Sequence, residues 1–164
     1  MKLSPPEVFA ALREPAEGEL GPVVFSTLGE PRFALGLETI YEGYLVHYGR
    51  PRLHEPQDGD AALVLGDYFY AQGLKRIASL GDVAAVADLA ELISLCAQAQ
   101  GDGRPWDGVA WAATAALLGQ DRLAEARLAL SRQGDPGPLD RLARETAGDE
   151  AVELALEAHA RLLG

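Results

Sequence analysis

The segment Val64-Leu65-Gly66-Asp67-Tyr68-Phe69-Tyr70-Ala71 is the most informative part of this 164-residue chain. It lies within a helix predicted over residues 60–79, for which Asp60 is the expected N-cap. The apolar positions of this helix include Ala62, Leu65, Phe69 and Leu74. Gly81 and Asp82 end this helix, and a second helix is predicted over residues 83–100. The two helices are predicted to pack as an antiparallel hairpin.

A third helix is predicted upstream, over residues 33–48. Its apolar and aromatic residues recur at steps of three and four, which is the period of one helix face. These residues are Phe33, Leu37, Ile40, Tyr41, Tyr44, Leu45 and Tyr48. Residues 49–59 contain two prolines and two glycines, so they are predicted to form the loop that joins the two long helices.

The remaining segments also favour helices. Ser4 followed by two prolines predicts a short helix through Leu12, and residues 20–28 form an apolar stretch of ambiguous structure. Three further helices are expected over residues 106–118, 121–131 and 138–163, the last with a break near Gly148. No segment has the alternation of a strand. The prediction is a single all-α domain over residues 1–164, folded as a helical bundle.

The net charge of −11 disfavours binding to nucleic acid or to anionic membrane surfaces. Cys96 is the single cysteine, and it is expected to be a buried apolar side chain. The N-terminus has no apolar signal core, and the longest apolar run, residues 109–118, is too short for a transmembrane segment. We expect a cytoplasmic protein.

Three segments, in order, resemble trans-isoprenyl diphosphate synthases. Residues 64–71 look like the LxGDYLxA helix of that family, and Gly49-Arg50-Pro51 precedes them at about the spacing of the family's Arg-Gly-x-Pro loop. Residues 37–47 resemble the helix that leads into the first aspartate-rich motif, DDxxD. The resemblance covers residues 37–101 and implies a fold similar to part of the isoprenoid synthase fold.

The chain departs from that family at the catalytic motifs. Tyr48 stands where the first aspartate is expected, Ala113 replaces the diphosphate-binding lysine, and the second aspartate-rich motif has no counterpart. Ionising an allylic diphosphate requires divalent cations that bridge carboxylates and phosphate oxygens. The resemblance therefore implies a degenerate, truncated and catalytically silent relative with no cofactor of its own. Mg²⁺ would enter only through the aspartates of a partner chain.

Glu38 and Glu42 are the weak candidates for replacement metal ligands, because they form an i, i+4 pair on one helix. Such pairs are more typical of solvated surface carboxylates. A candidate polar cluster consists of His47, Arg50 and Asp67, and we expect Asp67 to contact His47 or Arg50 as a structural pair. Six aromatic residues are candidates for a tunnel or an interface, with ordinary core packing as the alternative: Tyr41, Tyr44, Tyr48, Tyr68, Phe69 and Tyr70.

In size and in its missing motifs, the chain is similar to the small subunit of heterodimeric polyprenyl diphosphate synthases. This similarity implies an accessory or regulatory subunit that pairs with a catalytic polyprenyl diphosphate synthase chain, and an oligomer of this chain with itself is also open. One alternative is a stand-alone module that binds an isoprenoid or lipid or acts as a scaffold. Another is a divergent Mg²⁺-dependent prenyl enzyme that uses Glu38, Glu42 or acids supplied by a partner.

Overall fold

The computed structural model describes residues 2–3, 13, 15–16, 18–103 and 105–164. The predicted all-α bundle is confirmed over this part of the chain. Its seven α-helices are α1 (Ala34–Tyr48), α2 (Gly59–Ala78), α3 (Val83–Asp102), α4 (Asp107–Leu117), α5 (Ala124–Gln133), α6 (Gly137–Ala147) and α7 (Asp149–Leu163). The helix predicted over residues 4–12 lies outside the described residues.

Helix ends follow the expected capping chemistry, with one correction. The N-cap of α2 is Asp58 and not Asp60, because the Asp58 carboxylate accepts the Ala61 N–H at 2.8 Å. Asp82 caps α3 in the same way through the Ala85 N–H at 2.9 Å. The predicted break of the last helix is confirmed at Gly148, where φ is +93°.

The segments outside the helices are short. Residues 26–28 and 31–33 each form one 3-10 turn that leads into α1. Two two-residue strands, β1 (Lys2–Leu3) and β2 (Glu55–Pro56), pair in parallel. The sequence did not predict these strands, because two residues are too few to show alternation.

Glycines bring α1 and α2 into close backbone contact. A Cβ on Gly73 would lie 2.3 Å from Ile40 Cγ1 and 2.8 Å from the carbonyl oxygen of Gly36. A Cβ on Gly43 would lie 2.8 Å from the carbonyl oxygen of Gly66. Because Gly36 lies against Gly73 and Gly43 lies against Gly66, the two helices run antiparallel. Helix α2 also contacts α3, as predicted, but its closest partner is α1.

Two helices form the centre of the bundle. Every residue of α1 from Gly36 to Val46 is buried, and α4 is buried on all sides apart from the half-buried Val109. The main core extends from the segment before α1 to α7. A smaller apolar cluster lies between the end of α1 and the start of α2 and contains Val46, Ala61, Leu65 and Phe69.

In the described part of the chain, residues Val83–Gly101 of α3 are long and apolar enough to cross a membrane, with a mean hydropathy of 1.3. Of this window, 39% is buried inside the protein. Core helices of soluble proteins have the same length and composition, so this property alone does not assign the helix to a membrane.

Candidate functional site

Two glutamates of α1 enclose an arginine of the following loop. Glu38 is 2% exposed and Glu42 is 0% exposed. The Arg52 guanidinium donates from Nη1 to Glu38 Oε2 at 2.8 Å and from Nε to Glu42 Oε2 at 2.9 Å. Burial alone would lower the pKa of Arg52, but the charges of the two carboxylates raise it overall. The three side chains therefore form a buried ionic cluster.

The other carboxylate oxygens of this cluster bind main-chain donors. Glu38 Oε1 accepts the three consecutive N–H groups of residues 24–26 at 2.9 to 3.0 Å. Glu42 Oε1 accepts the N–H groups of Arg52 at 2.7 Å and Leu53 at 3.0 Å. The expectation that Glu38 and Glu42 are solvated surface carboxylates is wrong. All four oxygens are bonded internally, and a metal ion here would have to displace Arg52.

The six candidate aromatics lie in three places, and two of these adjoin because the rings of Tyr44 and Tyr48 are 5.1 Å apart. Tyr41 and Tyr44 are wholly buried and stack on each other at 5.9 Å between centroids, with Trp111 against both. Phe69 is 1% exposed in the smaller cluster, where the half-buried Tyr68 packs. These positions correspond to the core alternative for Tyr41, Tyr44 and Phe69.

Tyr48 and Tyr70 meet His47 at the third place. The ring of His47 lies 5.1 Å from that of Tyr70 and 5.7 Å from that of Tyr48, which is 37% exposed. His47 Nε2 is 3.2 Å from Asp67 Oδ1, so the predicted contact between these residues is confirmed. A Cβ on Gly66 would lie 2.5 Å from this imidazole. Gly66 therefore leaves room for the imidazole of His47, and Asp67 supplies its hydrogen-bond acceptor.

Arg50 does not join this cluster, which corrects the predicted grouping. Its Nη2 donates to the carbonyl oxygen of Arg161 at 2.6 Å, and its main-chain N–H donates to that of Leu162 at 2.8 Å. Both acceptors belong to the last turn of α7. A cation is favourable there because the C-terminal carbonyls of a helix carry partial negative charge. Arg50 therefore fixes the end of α7.

A buried polar network joins α1, α3, α4 and α7. Tyr41 Oη and His159 Nδ1 are hydrogen-bonded at 2.8 Å, and Tyr44 donates to the Asp107 carboxylate. His159 Nε2 lies 3.6 Å from Asp107 Oδ1, and Gln100 donates to Asp107 Oδ2 at 3.3 Å. Burial raises the pKa of Tyr41 above its usual value. The network gives Tyr41, Tyr44 and Asp107 hydrogen-bond partners and holds α7 against the centre, while His159 Nε2 is buried with no hydrogen bond among the described residues.

Sequence reasoning missed Asp107 and His159 as partners. The available signal was the position of His159 on the buried stripe of α7, four residues after Ala155 and seven after Val152. A histidine on such a stripe must find a polar partner inside the protein. The partner itself could not be identified, because Tyr41 is 118 residues away in the chain.

Two clefts in the described part of the chain adjoin the ionic cluster, because Arg52 lines one of them and Glu38 lines the other. One of about 500 Å³ is lined by the loop after α1 and the start of α2, including Arg50, Glu55 and Asp58. A more apolar cleft of about 250 Å³ is lined by the segment before α1 together with Leu35. Cys96 is buried, and burial raises the pKa of its thiol to about 12. This thiol is therefore not an activated nucleophile.

Comparison of the chain with protein-family models, with curated proteins and with solved structures gives no match.

Proposed function

We propose that the chain is a catalytically silent isoprenyl diphosphate synthase-like protein that acts as an accessory or regulatory subunit of a polyprenyl diphosphate synthase. The proposed lack of catalytic activity rests on the buried cluster of Glu38, Glu42 and Arg52. These glutamates lie on the helix that resembles the one leading into the family's first aspartate-rich motif, and each is bonded to the Arg52 guanidinium. The arginine neutralises the carboxylates that a divalent cation would need.

The surroundings of these residues support the same conclusion. Stabilising a leaving diphosphate requires ligands that face an open pocket. Here Glu42 is 0% exposed, and Glu38 borders the smaller cleft but is 2% exposed with both of its oxygens bonded within the protein. Ala113, at the position of the family's lysine, is 0% exposed in α4. The centre of the bundle is filled by Tyr41, Tyr44 and Trp111. Such a chain contributes a helical scaffold and leaves the chemistry to a partner with its own aspartates.

The test is a product-length assay with a catalytic polyprenyl diphosphate synthase from the same organism. The isolated chain should form no product from an allylic diphosphate, isopentenyl diphosphate and Mg²⁺. Adding it to the synthase should change the length of the polyprenyl product, with equimolar albumin as the control. An unchanged product length, together with no stable complex, would contradict the subunit role.

A stand-alone isoprenoid or lipid-binding module is the second candidate, and the apolar cleft beside Leu20, Val23 and Leu35 is the observation that favours it. Its volume of about 250 Å³ is below the roughly 300–1,000 Å³ of typical ligand pockets, so we prefer the subunit role. Organic extraction of the purified monomer separates the two. A stoichiometric lipid would favour the binding module.

The divergent Mg²⁺-dependent enzyme would need Glu38 and Glu42 to leave Arg52. Turnover of an allylic diphosphate by the isolated chain, lost in Glu38→Gln and Glu42→Gln while the fold is retained, is the result that this function requires.

A further inference from the structure

Two large apolar side chains lie exposed next to each other on α2. Leu63 is 57% exposed and Val64 is 43% exposed. Single exposed leucines are ordinary, and Leu154 at 59% and Leu128 at 46% are examples on other helices. Leu63 and Val64 differ because they are adjacent and because the neighbouring Ala62 lines the cleft of about 500 Å³. They form a local apolar surface at the rim of a concave site.

Exposed carboxylates stand on both sides of this apolar pair. Asp60 is exposed one helical turn before it, and the Asp67 side chain, 66% exposed, follows one turn after it. Residues three and four apart share a helix face, so both carboxylates lie on the same face as Leu63 and Val64. With a rise of about 1.5 Å per residue, the two charges are about 10 Å apart along the helix. We call Asp60, Leu63, Val64 and Asp67 the α2 patch.

We propose that the α2 patch docks a cationic amphipathic segment of a partner protein. The segment would place apolar side chains over Leu63 and Val64 and a lysine or arginine near each aspartate, with the two cations about two helical turns apart. A second copy of this chain is disfavoured because it has the same net charge of −11. The inference rests on the proposed subunit role and names the surface through which the partner binds.

The two parts of the patch should contribute differently to binding. The apolar pair loses water in the complex, so truncating Leu63 should weaken binding by about tenfold. Asp60 lies at the solvated rim, where a charge changes the association rate and the salt dependence more than the affinity. Asp60→Asn should therefore weaken binding by about threefold and flatten the dependence on salt.

The probe is a synthetic helical peptide with two leucines at its centre and one lysine a turn before and after them. A matched peptide carries glutamates in place of the lysines. Titration of the isotopically labelled full chain, followed by amide NMR shifts, should show binding of the lysine peptide at residues 55–71. The glutamate peptide should bind at least about tenfold more weakly at low salt.

The controls use exposed leucines outside the patch. Leu154→Ser and Leu128→Ser should leave the affinity for the lysine peptide unchanged, whereas Leu63→Ser and Asp60→Asn should lower it. Equal binding of the two peptides, equal loss in Leu154→Ser, or no binding at about 1 mM peptide would overturn the proposal. A concentration-dependent dimer that Leu63→Ser abolishes would also overturn it, in favour of a second copy.

The same variants separate this inference from the proposed function. If the synthase complex forms and Leu63→Ser leaves it intact, the α2 patch is the wrong surface while the subunit role stands. If the lysine peptide binds the patch and no synthase complex forms, the patch stands and the subunit role fails.

Discussion

Replacing Arg52 with methionine should destabilise the protein far more than replacing an arginine on the surface. In the native protein the Arg52 side chain is 6% exposed and lies against carboxylates that are 3% and 0% exposed. Methionine fills most of the same space but leaves Glu38 and Glu42 as unpaired buried charges. Breaking a buried ion pair by removing one partner costs about 3–5 kcal/mol.

The assay is urea unfolding followed by circular dichroism at neutral pH. A loss of about 4 kcal/mol with a slope of about 2 kcal/mol per molar urea lowers the midpoint by about 2 M. Arg144→Met is the matched control, because Arg144 bridges Asp140 and Glu153 at the surface with a side chain 27% exposed. Its free energy of unfolding should fall by about 0–1 kcal/mol.

A second variant tests the cause of the effect. Adding Glu42→Gln to Arg52→Met removes one of the two unpaired charges, so the double variant should recover part of the lost stability. If Arg52→Met does not fold alone, Glu42→Gln in the native background supplies the measurement, with an expected loss of several kcal/mol. Equal losses in Arg52→Met and Arg144→Met would refute the buried ionic cluster.

Three further predictions concern packing, thiol reactivity and pH. Gly73→Ala should destabilise by about 1–3 kcal/mol, because its Cβ would overlap Ile40, whereas Gly101→Ala, with open space around it, should stabilise α3 by about 0.5–1 kcal/mol. A melting temperature of Gly73→Ala equal to or above that of the native protein would contradict the packing of α1 on α2. Cys96 should resist iodoacetamide at pH 8 until urea unfolds the chain, and rapid native labelling would contradict its burial. Because burial raises the pKa of Tyr41 and Tyr70, the part of the stability that depends on these two tyrosines should be constant below pH about 10 and should fall as the pH rises further, since the unfolded tyrosines ionise first. Tyrosine absorbance that rises fully before the helical signal is lost would contradict this.

The sequence was sufficient to predict the helices because their periodicity and stops are local. The period of the aromatic residues gave α1 to within one residue, and Gly148 marked the last break. The cap of α2 was misplaced because Asp58 and Asp60 flank Gly59, and either carboxylate can cap the next turn. Only the backbone conformation of Asp58, with φ −146° and ψ 178°, distinguishes them.

The side-chain networks were harder to predict because they depend on distant contacts. Glu38 and Glu42 have the spacing of a surface pair, but apart from Thr39 and His47 the other residues of α1 are apolar, aromatic or glycine. Glycines at 36 and 43 on α1 and at 66 and 73 on α2 repeat every seven residues, which indicates close packing along one face of each helix. The apolar face and the glycine face of α1 are both expected to be covered by other elements, so little of this helix can be exposed to solvent. Glutamates on such a helix are therefore expected to be buried.

The candidate site was predicted only in part. The contact of His47 with Asp67 followed from the antiparallel arrangement of the helices that carry them. The position of Arg50 did not follow, because its acceptors lie on α7, more than 100 residues later. Local patterns do not specify which end of a distant helix meets a loop.

The subunit role is tested most directly by native mass spectrometry of the tagged protein purified from its own cells. We predict a complex whose second chain is an aspartate-bearing polyprenyl diphosphate synthase, with no lipid retained by this chain. A homo-oligomer or a monomer that carries a lipid, with no synthase chain bound, would contradict the account.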